Sequence, residues 1–104
     1  MSLKPKIAYT PQEYLEQERK AVCKSEYFNG EIFAMAAASL RHTLIVGNVV
    51  AELRTQLKKR PCTVHSTDLR VRTSPAGLYA YPDVLVVCGR PEFADEQKDT
   101  LEPE

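Results

Sequence analysis

The sequence predicts an α/β fold in which helices pack on a β-sheet, and three observations support it. The chain has 104 residues, enough for a single domain that spans 1–104. It is 43% hydrophobic and 27% charged, a composition typical of a folded chain rather than a disordered one. Its patterns follow the order helix, hairpin, long helix, strand and strand, which indicates an α/β architecture.

The first helix is predicted from Pro11 to about Lys20. Thr10 and Glu13 have the spacing of a capping box, in which each side chain accepts a hydrogen bond from the backbone N–H of the other residue. Pro11 suits the first helical position because its missing N–H would be unpaired there in any case. The sequence therefore predicts a well-defined start for this helix.

A β-hairpin is predicted next, over residues 26–35. Asn29 and Gly30 separate two segments rich in strand-forming residues. This pair readily adopts the positive φ angles that a two-residue type I′ turn requires.

The longest helix is predicted from about Leu40 to Lys59. Its apolar residues recur at helical spacing: Val46, Val49, Val50, Leu53 and Leu57. Basic residues occupy its last turn and Pro61 follows, which together indicate the end of the helix.

Two strands should complete the sheet. Residues 62–72 predict one strand with a bulge near Asp68, and Leu78–Cys88 predicts a second strand after a turn at 74–77. The apolar run Val84–Cys88 indicates a central strand covered on both faces, although one side of it still lacks a neighbour. Residues 89–104 are rich in Asp, Glu and Pro and predict a loop, so the fold looks unfinished at its C-terminus.

Charge and hydropathy exclude several classes of protein. Fourteen basic and fourteen acidic residues give a net charge of zero, with +4 on residues 1–88 and −4 on residues 89–104. The modest positive charge of the larger part permits contact with nucleic acid without requiring it. No apolar run is long enough for a membrane span, so we expect a cytoplasmic protein with no membrane partner.

The three cysteines are far apart in sequence, with no C-x-x-C pair and only two histidines to complete a zinc site. Cys23, Cys62 and Cys88 are therefore predicted to be buried, reduced thiols. The sequence also lacks a glycine-rich phosphate loop, a G-x-S-x-G elbow and an H-E-x-x-H motif, which excludes the corresponding enzyme classes.

Two carboxylates are candidate site residues. Asp83 follows Pro82 at the entrance of an apolar strand, where a carboxylate is costly to bury without a partner or a metal, although Pro-Asp is also a common turn before a strand. Glu31 follows the hairpin glycine and shares a strand face with Phe33. A cross-strand ion pair, with Lys24 for example, is the alternative explanation of Glu31.

Three basic residues are further candidates. His42 lies in the first turn of the long helix and is either a helix-end histidine or a catalytic base. Arg70 and Arg72 lie on one strand face, where they are either solvated surface charges or contacts for phosphate groups.

The order of several short motifs resembles a known family. Tyr9-Thr10-Pro11 opens the first helix, Gly30-Glu31-Ile32 follows the turn, and His42-x-x-Ile45 opens the long helix. Asp68-Leu69-Arg70-Val71 and Tyr81-Pro82-Asp83-Val84 complete the series. In this order they resemble the Uma-two-type restriction endonucleases of the PD-(D/E)XK nuclease superfamily, over nearly the whole chain.

The resemblance implies a restriction-endonuclease-like mixed sheet flanked by helices and a site for Mg²⁺ or Mn²⁺. Asp83 matches the acid of the family's Pro-Asp motif and Glu31 a family glutamate near the same pocket, so both are expected to be catalytic metal ligands. His42 also matches a family position. In such a site the metal helps to generate hydroxide, which attacks a phosphodiester bond of DNA.

One departure from the family affects the expected activity. In the family, a strand with a second acid and a helix with a basic residue follow the segment that ends at Glu104. We therefore expect a truncated, catalytically incomplete member of a DNA endonuclease family. The alternative is a non-catalytic interaction module or remnant that forms a homodimer through the exposed strand edge of Val84–Val87.

Overall fold

The structure, a computed structural model, describes residues 8–73 and 77–102. This part of the chain forms two helices and short strands in a mixed α/β arrangement, as predicted. The predicted turn at 74–77 lies largely outside the described residues. The helices are α1 (Pro11–Lys20) and α2 (Leu40–Gln56), and the strands are β1 (Ser25–Phe28), β2 (Glu31–Ala34), β3 (Cys62–Ser66), β4 (Arg70–Arg72), β5 (Leu78–Ala80), β6 (Val84–Cys88) and β7 (Thr100–Leu101).

Helix α1 begins at the predicted capping box. Thr10 Oγ1 accepts from the N–H of Glu13 at 3.1 Å, and Glu13 Oε1 accepts from the N–H of Thr10 at 2.9 Å. Both bonds satisfy N–H groups that the first helical turn leaves without a partner inside the helix. The predicted bounds of this helix are confirmed.

The hairpin of β1 and β2 also agrees with the sequence. Asn29 has a φ of 49° and Gly30 a φ of 89°, the two positive angles that a type I′ turn needs. Ser25 pairs with Ala34 at the open end, and Phe28 pairs with Glu31 next to the turn. The predicted hairpin and its two-residue turn at Asn29 and Gly30 are therefore confirmed.

Helix α2 begins where predicted and ends earlier than predicted. Ser39 caps it, accepting from the N–H of His42 at 3.0 Å. Regular helix stops at Gln56 rather than Lys59, because Leu57 leaves helical geometry with a ψ of 8° and its carbonyl accepts from Arg60 in a tight turn. Pro61 then leads directly into β3.

Neither long strand predicted for the second half is continuous. The first divides into β3 and β4 and the second into β5 and β6, so that β3 and β6 form a separate two-stranded sheet. Ser66 pairs with Val84 and Val71 with Ala80, which leaves four residues between the pairs on one arm and three on the other. Residues 67–69 form a turn and a bend that end the ladder near Asp68, where the sequence predicted a bulge in one continuous strand. On the other arm Pro82, which has no N–H to donate, lies in the segment that separates β5 from β6.

Two further predictions for this half are wrong. Residues 89–104 are not wholly a loop, because β7 pairs in parallel with β4, Arg70 with Thr100 and Val71 with Leu101. Strand β6 is not covered on both faces, since Val86 is 40% exposed. Within the described ranges β6 pairs only with β3, so its second edge carries no strand.

The core lies around α1 and the five-stranded sheet, whose order is β2-β1-β5-β4-β7. Tyr14, Tyr27 and Tyr79 pack with ring centroids 5.2 to 5.7 Å apart and are each no more than 4% exposed. The Tyr14 hydroxyl donates to the carbonyl of Ser25, and the Tyr27 hydroxyl donates to the carbonyl of Tyr9. Both buried hydroxyl groups therefore have a hydrogen-bond acceptor. Helix α2, in contrast, has no buried residue.

The predicted state of Cys62 and Cys88 is wrong, and Cys23 is a free thiol as predicted but differs in its exposure. Cys62 and Cys88 are directly paired in the β3–β6 register and their sulfurs form a disulfide. Cys23 is exposed rather than buried. No sequence pattern indicated the pairing, because the two cysteines meet only through the register of two strands that are distant in sequence.

Candidate functional site

The main cavity is an open groove of about 1000 Å³ between α2 and the segment that joins β2 to α2. One wall is formed by residues 35–39, and the other by the face of α2 that carries Val46 and Val50. The end of β3, together with Asp83 at the start of β6, closes one side. We call this cavity the α2 groove.

The α2 groove brings together two of the residues predicted from the sequence. His42 Nε2 lies 3.2 Å from Asp83 Oδ1, and the two side chains are 45% and 56% exposed. The Ser39 cap fixes His42 in the first turn of α2, and Pro82 fixes the backbone just before Asp83. The pair is thus positioned by two separate elements and remains accessible from solvent.

Lys24, which the sequence analysis considered only as a partner for Glu31, also lines the groove. Its Nζ lies 2.8 Å from Asp68 Oδ1, donates to the carbonyl of Thr67 at 3.2 Å, and lies 5.4 Å from the centroid of the Tyr81 ring. Lys24 follows α1 in irregular chain and belongs to no motif, so no signal in the sequence pointed to it.

Arg54 is a second groove cation that the sequence analysis missed as a site residue. Its Nη2 donates to the carbonyl of Val64 at 3.2 Å, which ties the last turn of α2 to β3. The groove therefore contains the Asp83 carboxylate together with Lys24, Arg54 and the His42 ring.

Glu31 lies apart from these residues. It is exposed at the start of β2, next to the hairpin turn, and it is not among the residues that line the α2 groove. Lys24, its suggested partner, is paired with Asp68 instead. The role of Glu31 as a metal ligand remains a prediction.

Arg70 is not a solvated surface charge, because its side chain is only 7% exposed. Its Nε donates to Thr100 Oγ1 at 2.8 Å, and its Nη1 donates to the Tyr81 hydroxyl at 3.1 Å. Nη2 lies 2.9 Å from Asp99 Oδ2, but its N–H does not point at that oxygen, so this contact is an ion pair rather than a linear hydrogen bond. These contacts bury Arg70 away from the α2 groove.

Arg72, predicted with Arg70 as a contact for phosphate, is also engaged in structure. Its Nη2 pairs with Glu102 Oε1, one residue beyond β7. Both arginines of β4 therefore hold the segment around β7 in place. The sequence could not indicate this because their partners lie about thirty residues away.

The partners of Arg70 extend to α1 and form a continuous network, which we call the Arg70 network: Glu18, Arg19, Arg70, Tyr81, Asp95 and Asp99. The hydrogen bond from Arg19, with a further contribution from Arg70, holds the pKa of Asp99 well below its ordinary value. Burial and the hydrogen bond to Glu18 raise the pKa of Tyr81 to about 12. Burial and the neighbouring Tyr81 also raise the pKa of Tyr14.

Among the described residues that line the groove, Asp83 is the one carboxylate. No group of three His, Cys, Asp or Glu side chains that could hold a metal ion occurs in 8–73 or 77–102. Mg²⁺ needs oxygen ligands and is commonly held by one or two carboxylates, waters and substrate phosphate. Asp83 fits the part of one such carboxylate, and a complete site needs a further oxygen ligand.

In residues 8–73 and 77–102, neither helix is long and apolar enough to cross a bilayer.

The fold is shared with a protein of known crystal structure. A crystal structure titled as a "putative nuclease belonging to DUF820" from Anabaena variabilis superimposes with a TM-score of 0.68 and 20% sequence identity. The match covers 89% of this chain and 50% of that one. At this identity the likeness establishes the fold alone, which agrees with the mixed sheet and flanking helices predicted above.

The family follows from the sequence itself. Residues 11–104 match the model of the Uma2 family, described as "Putative restriction endonuclease". The chain belongs to this family, and the resemblance inferred from its short motifs is confirmed.

Two proteins of Synechocystis are similar in sequence. The uncharacterized protein sll1609 is 34% identical over 89 residues and slr1290 is 33% identical over 84 residues. These matches cover 86% and 81% of this chain but only 50% and 43% of the relatives. The chain thus spans about half the length of the relatives that it matches.

Proposed function

We propose that the α2 groove is part of a metal-dependent DNA endonuclease site in which Asp83 is a ligand of Mg²⁺ or Mn²⁺. The observation that carries this proposal is the pairing of Asp83 with His42, at 3.2 Å, in an accessible groove that also holds Lys24 and Arg54. A carboxylate for the metal and cations for a phosphate backbone are the groups that phosphodiester hydrolysis needs. Membership of the Uma2 family supports the same chemistry.

The residues of the groove have distinct parts in this proposal. His42 Nε2 is positioned to donate to Asp83 Oδ1, which orients the carboxylate. Lys24 and Arg54 attract the phosphate groups of DNA and hold the strand against the groove. When bound, the metal would polarise the phosphate and lower the pKa of a bound water.

We propose further that the 104-residue chain cleaves DNA poorly by itself. Asp83 is the metal-ligating carboxylate that the described part of the groove supplies, and a single carboxylate competes weakly with water for Mg²⁺. Glu31 remains a candidate second ligand, although it is not among the groove residues. The second ligand in the resembling family comes from a following strand.

The test compares two lengths of chain in a plasmid-nicking assay. The 104-residue chain is expected to give little nicking of supercoiled DNA. A version extended with the family's next strand and helix, which carry the additional Glu and Lys, is expected to nick in a manner that requires Mg²⁺ and is blocked by chelator. Asp83→Ala should abolish this activity without unfolding the extended protein.

Glu16→Ala provides the matched control, since Glu16 is an exposed carboxylate on α1, outside the groove. It should leave nicking unchanged. Equal cleavage by both lengths, or cleavage that survives Asp83→Ala, would show that the active site lies elsewhere.

A second candidate function, a non-catalytic interaction module, is favoured by a different observation. In the described part of the chain, β6 has one edge without a strand, and Val86 at its centre is 40% exposed. Helix α2 also exposes Leu40, Leu44 and Ile45, each more than half accessible. An unpaired apolar edge invites pairing with a second copy of the chain, which would form a homodimer.

Light scattering over a concentration series tests this alternative. A homodimer through β6 should appear at micromolar concentration and be weakened by Val86→Lys, which places a charge on the exposed apolar edge. Val22→Lys is the control because Val22 is 99% exposed and lies outside β6. A monomer at all concentrations with cooperative unfolding would exclude this alternative.

A further inference from the structure

We propose that Lys24 is a phosphate-binding residue of the α2 groove and that Asp68 occupies it in the free protein as an internal competitor. The inference rests on the proposed function for the assignment of the groove to DNA. It adds a particular residue, a particular ligand group, and a contact that must break when the ligand binds.

The position of Lys24 is fixed by its backbone and its side chain remains accessible. The carbonyl of Lys24 accepts from the N–H of Met35 at 3.1 Å, which ties this residue to the wall of the groove. The side chain is 36% exposed. Its ammonium group is therefore held near the groove while one side stays open to solvent.

Asp68 is suited to be displaced. It lies in the turn between β3 and β4, and its side chain is 91% exposed, so leaving Lys24 returns the carboxylate to water with little cost. Ion pairs this exposed contribute little to stability. An incoming phosphate group offers Lys24 the same negative oxygen contact and gains from the release of counterions.

Two other contacts of Lys24 do not involve the Asp68 side chain. Its Nζ also donates to the carbonyl of Thr67, and it lies 5.4 Å from the centroid of the Tyr81 ring. A cation near an aromatic face is attracted by the electron density of the ring. These two contacts keep the ammonium group in place when Asp68 leaves.

The location of Lys24 connects a phosphate bound there to the proposed metal site. Lys24 lines the same groove as Asp83, and Tyr81 lies two residues before Asp83 along the chain. A phosphate bound at Lys24 is consequently held in the cavity that contains the proposed metal ligand.

The test measures binding of a fluorescently labelled DNA duplex by anisotropy in the presence of EDTA, which removes metal binding and cleavage from the result. Lys24→Gln should weaken binding about five-fold and reduce the slope of log K against log salt by about one. Asp68→Asn should strengthen binding two- to five-fold. Lys20→Gln, at the end of α1 and outside the groove, is the matched control and should change binding less than two-fold.

The double variant separates local competition from a general charge effect. If Asp68 acts by occupying Lys24, Asp68→Asn has no effect on binding in the Lys24→Gln background. If it acts only by raising the net charge, it strengthens binding equally in both backgrounds, and the proposal is overturned. Lys24→Arg should retain binding, which distinguishes loss of the cation from loss of the fold.

A parallel titration with inorganic pyrophosphate, followed by the amide chemical shifts of Lys24 and Asp68, tests the phosphate site without DNA. Shifts that vanish in Lys24→Gln support the phosphate site even if the duplex does not bind, in which case the DNA function fails alone. Duplex binding that is unchanged by both single variants would overturn the inference while leaving the proposed function intact. Failure of both probes to bind the wild-type protein would also overturn it.

Discussion

The molecule contains two clusters of charged residues that differ in how far they are exposed to solvent. In the Arg70 network, Arg70 is 7% exposed and has protein partners for its three nitrogens. In the α2 groove, His42 and Asp83 are about half exposed and are in contact with each other. Burial makes the first cluster a scaffold, whereas exposure leaves the second one available to a ligand.

Tyr81 is the physical connection between the two clusters. Its hydroxyl accepts from Arg70 and donates to Glu18, while its ring lies beside Lys24. Because Tyr81 lies two residues before Asp83, the Arg70 network fixes the segment that presents the candidate metal ligand. The comparison therefore predicts large effects on stability at one cluster and effects on binding at the other.

The largest effect is expected at Arg70. Arg70→Met leaves the Tyr81 hydroxyl, Thr100 and Asp99 without their buried partner, and it should lower the free energy of unfolding by about 3 kcal/mol. Urea denaturation measures the change. Arg54→Met, which removes a single contact in the groove, is the control and should cost about 1 kcal/mol. An equal loss at both positions would contradict the distinction between scaffold and site.

Alkaline pH offers a second test of the scaffold. Tyr81 has a folded-state pKa of about 12, above the ordinary value near 10, so the folded state favours its neutral form. That contribution is complete below pH 10 and is lost as the pH rises from about 10 to 12. Tyr81→Phe should cost about 1 to 2 kcal/mol at neutral pH through its lost hydrogen bonds.

Tyr81→Phe should also flatten the alkaline part of the stability curve. Thermal unfolding between pH 8 and pH 12 measures this. Parallel curves for the variant and the wild type would contradict the role of Tyr81.

Acidic pH should also weaken the Arg70 network, through protonation of Asp99. The pKa of Asp99 is held below its ordinary value by the hydrogen bond from Arg19, so its contribution is present above about pH 4 and is lost as the pH falls further. Asp99→Asn should remove about 1 kcal/mol of acid-sensitive stability, a figure reduced for solvent screening because Asp99 is 37% exposed. Acid denaturation followed by circular dichroism should show a shallower dependence on pH in the variant than in the wild type.

Much of the fold could be predicted from local signals, and the remainder depends on contacts distant in sequence. Helix α1 and the Asn29-Gly30 hairpin follow from capping and turn chemistry within a few residues. The division of both long strands and the pairing of β7 depend on register between segments far apart in the chain. Arg19 and Asp99 illustrate the difficulty, since they meet across eighty residues of sequence.

The dependence on contacts distant in sequence also explains why only part of the candidate site was predicted. Asp83 and His42 were identified by local pattern, and the structure brings them into contact. Lys24 was not predicted as a groove residue because it belongs to no motif. Arg70 was predicted to be either a solvated surface charge or a phosphate contact, because alternation along a short strand does not reveal which face another segment will cover.

The smallest effect on stability is expected at His42. His42→Gln breaks an exposed pair, and it should change the free energy of unfolding by less than about 0.5 kcal/mol. Its expected effect is on the orientation of Asp83, measured as a weaker response to Mn²⁺. A large loss of stability would place His42 in the scaffold.

The most direct test of the central claim is a Mn²⁺ titration of the wild type and Asp83→Asn, followed by paramagnetic broadening of backbone amide signals. If Asp83 is the metal ligand, broadening should centre on the α2 groove in the wild type and be largely lost in Asp83→Asn, with unfolding unchanged within about 0.5 kcal/mol. Glu31→Gln should reduce the broadening less than Asp83→Asn does. Equal titration curves for wild type and Asp83→Asn would contradict the assignment of the α2 groove as the metal site.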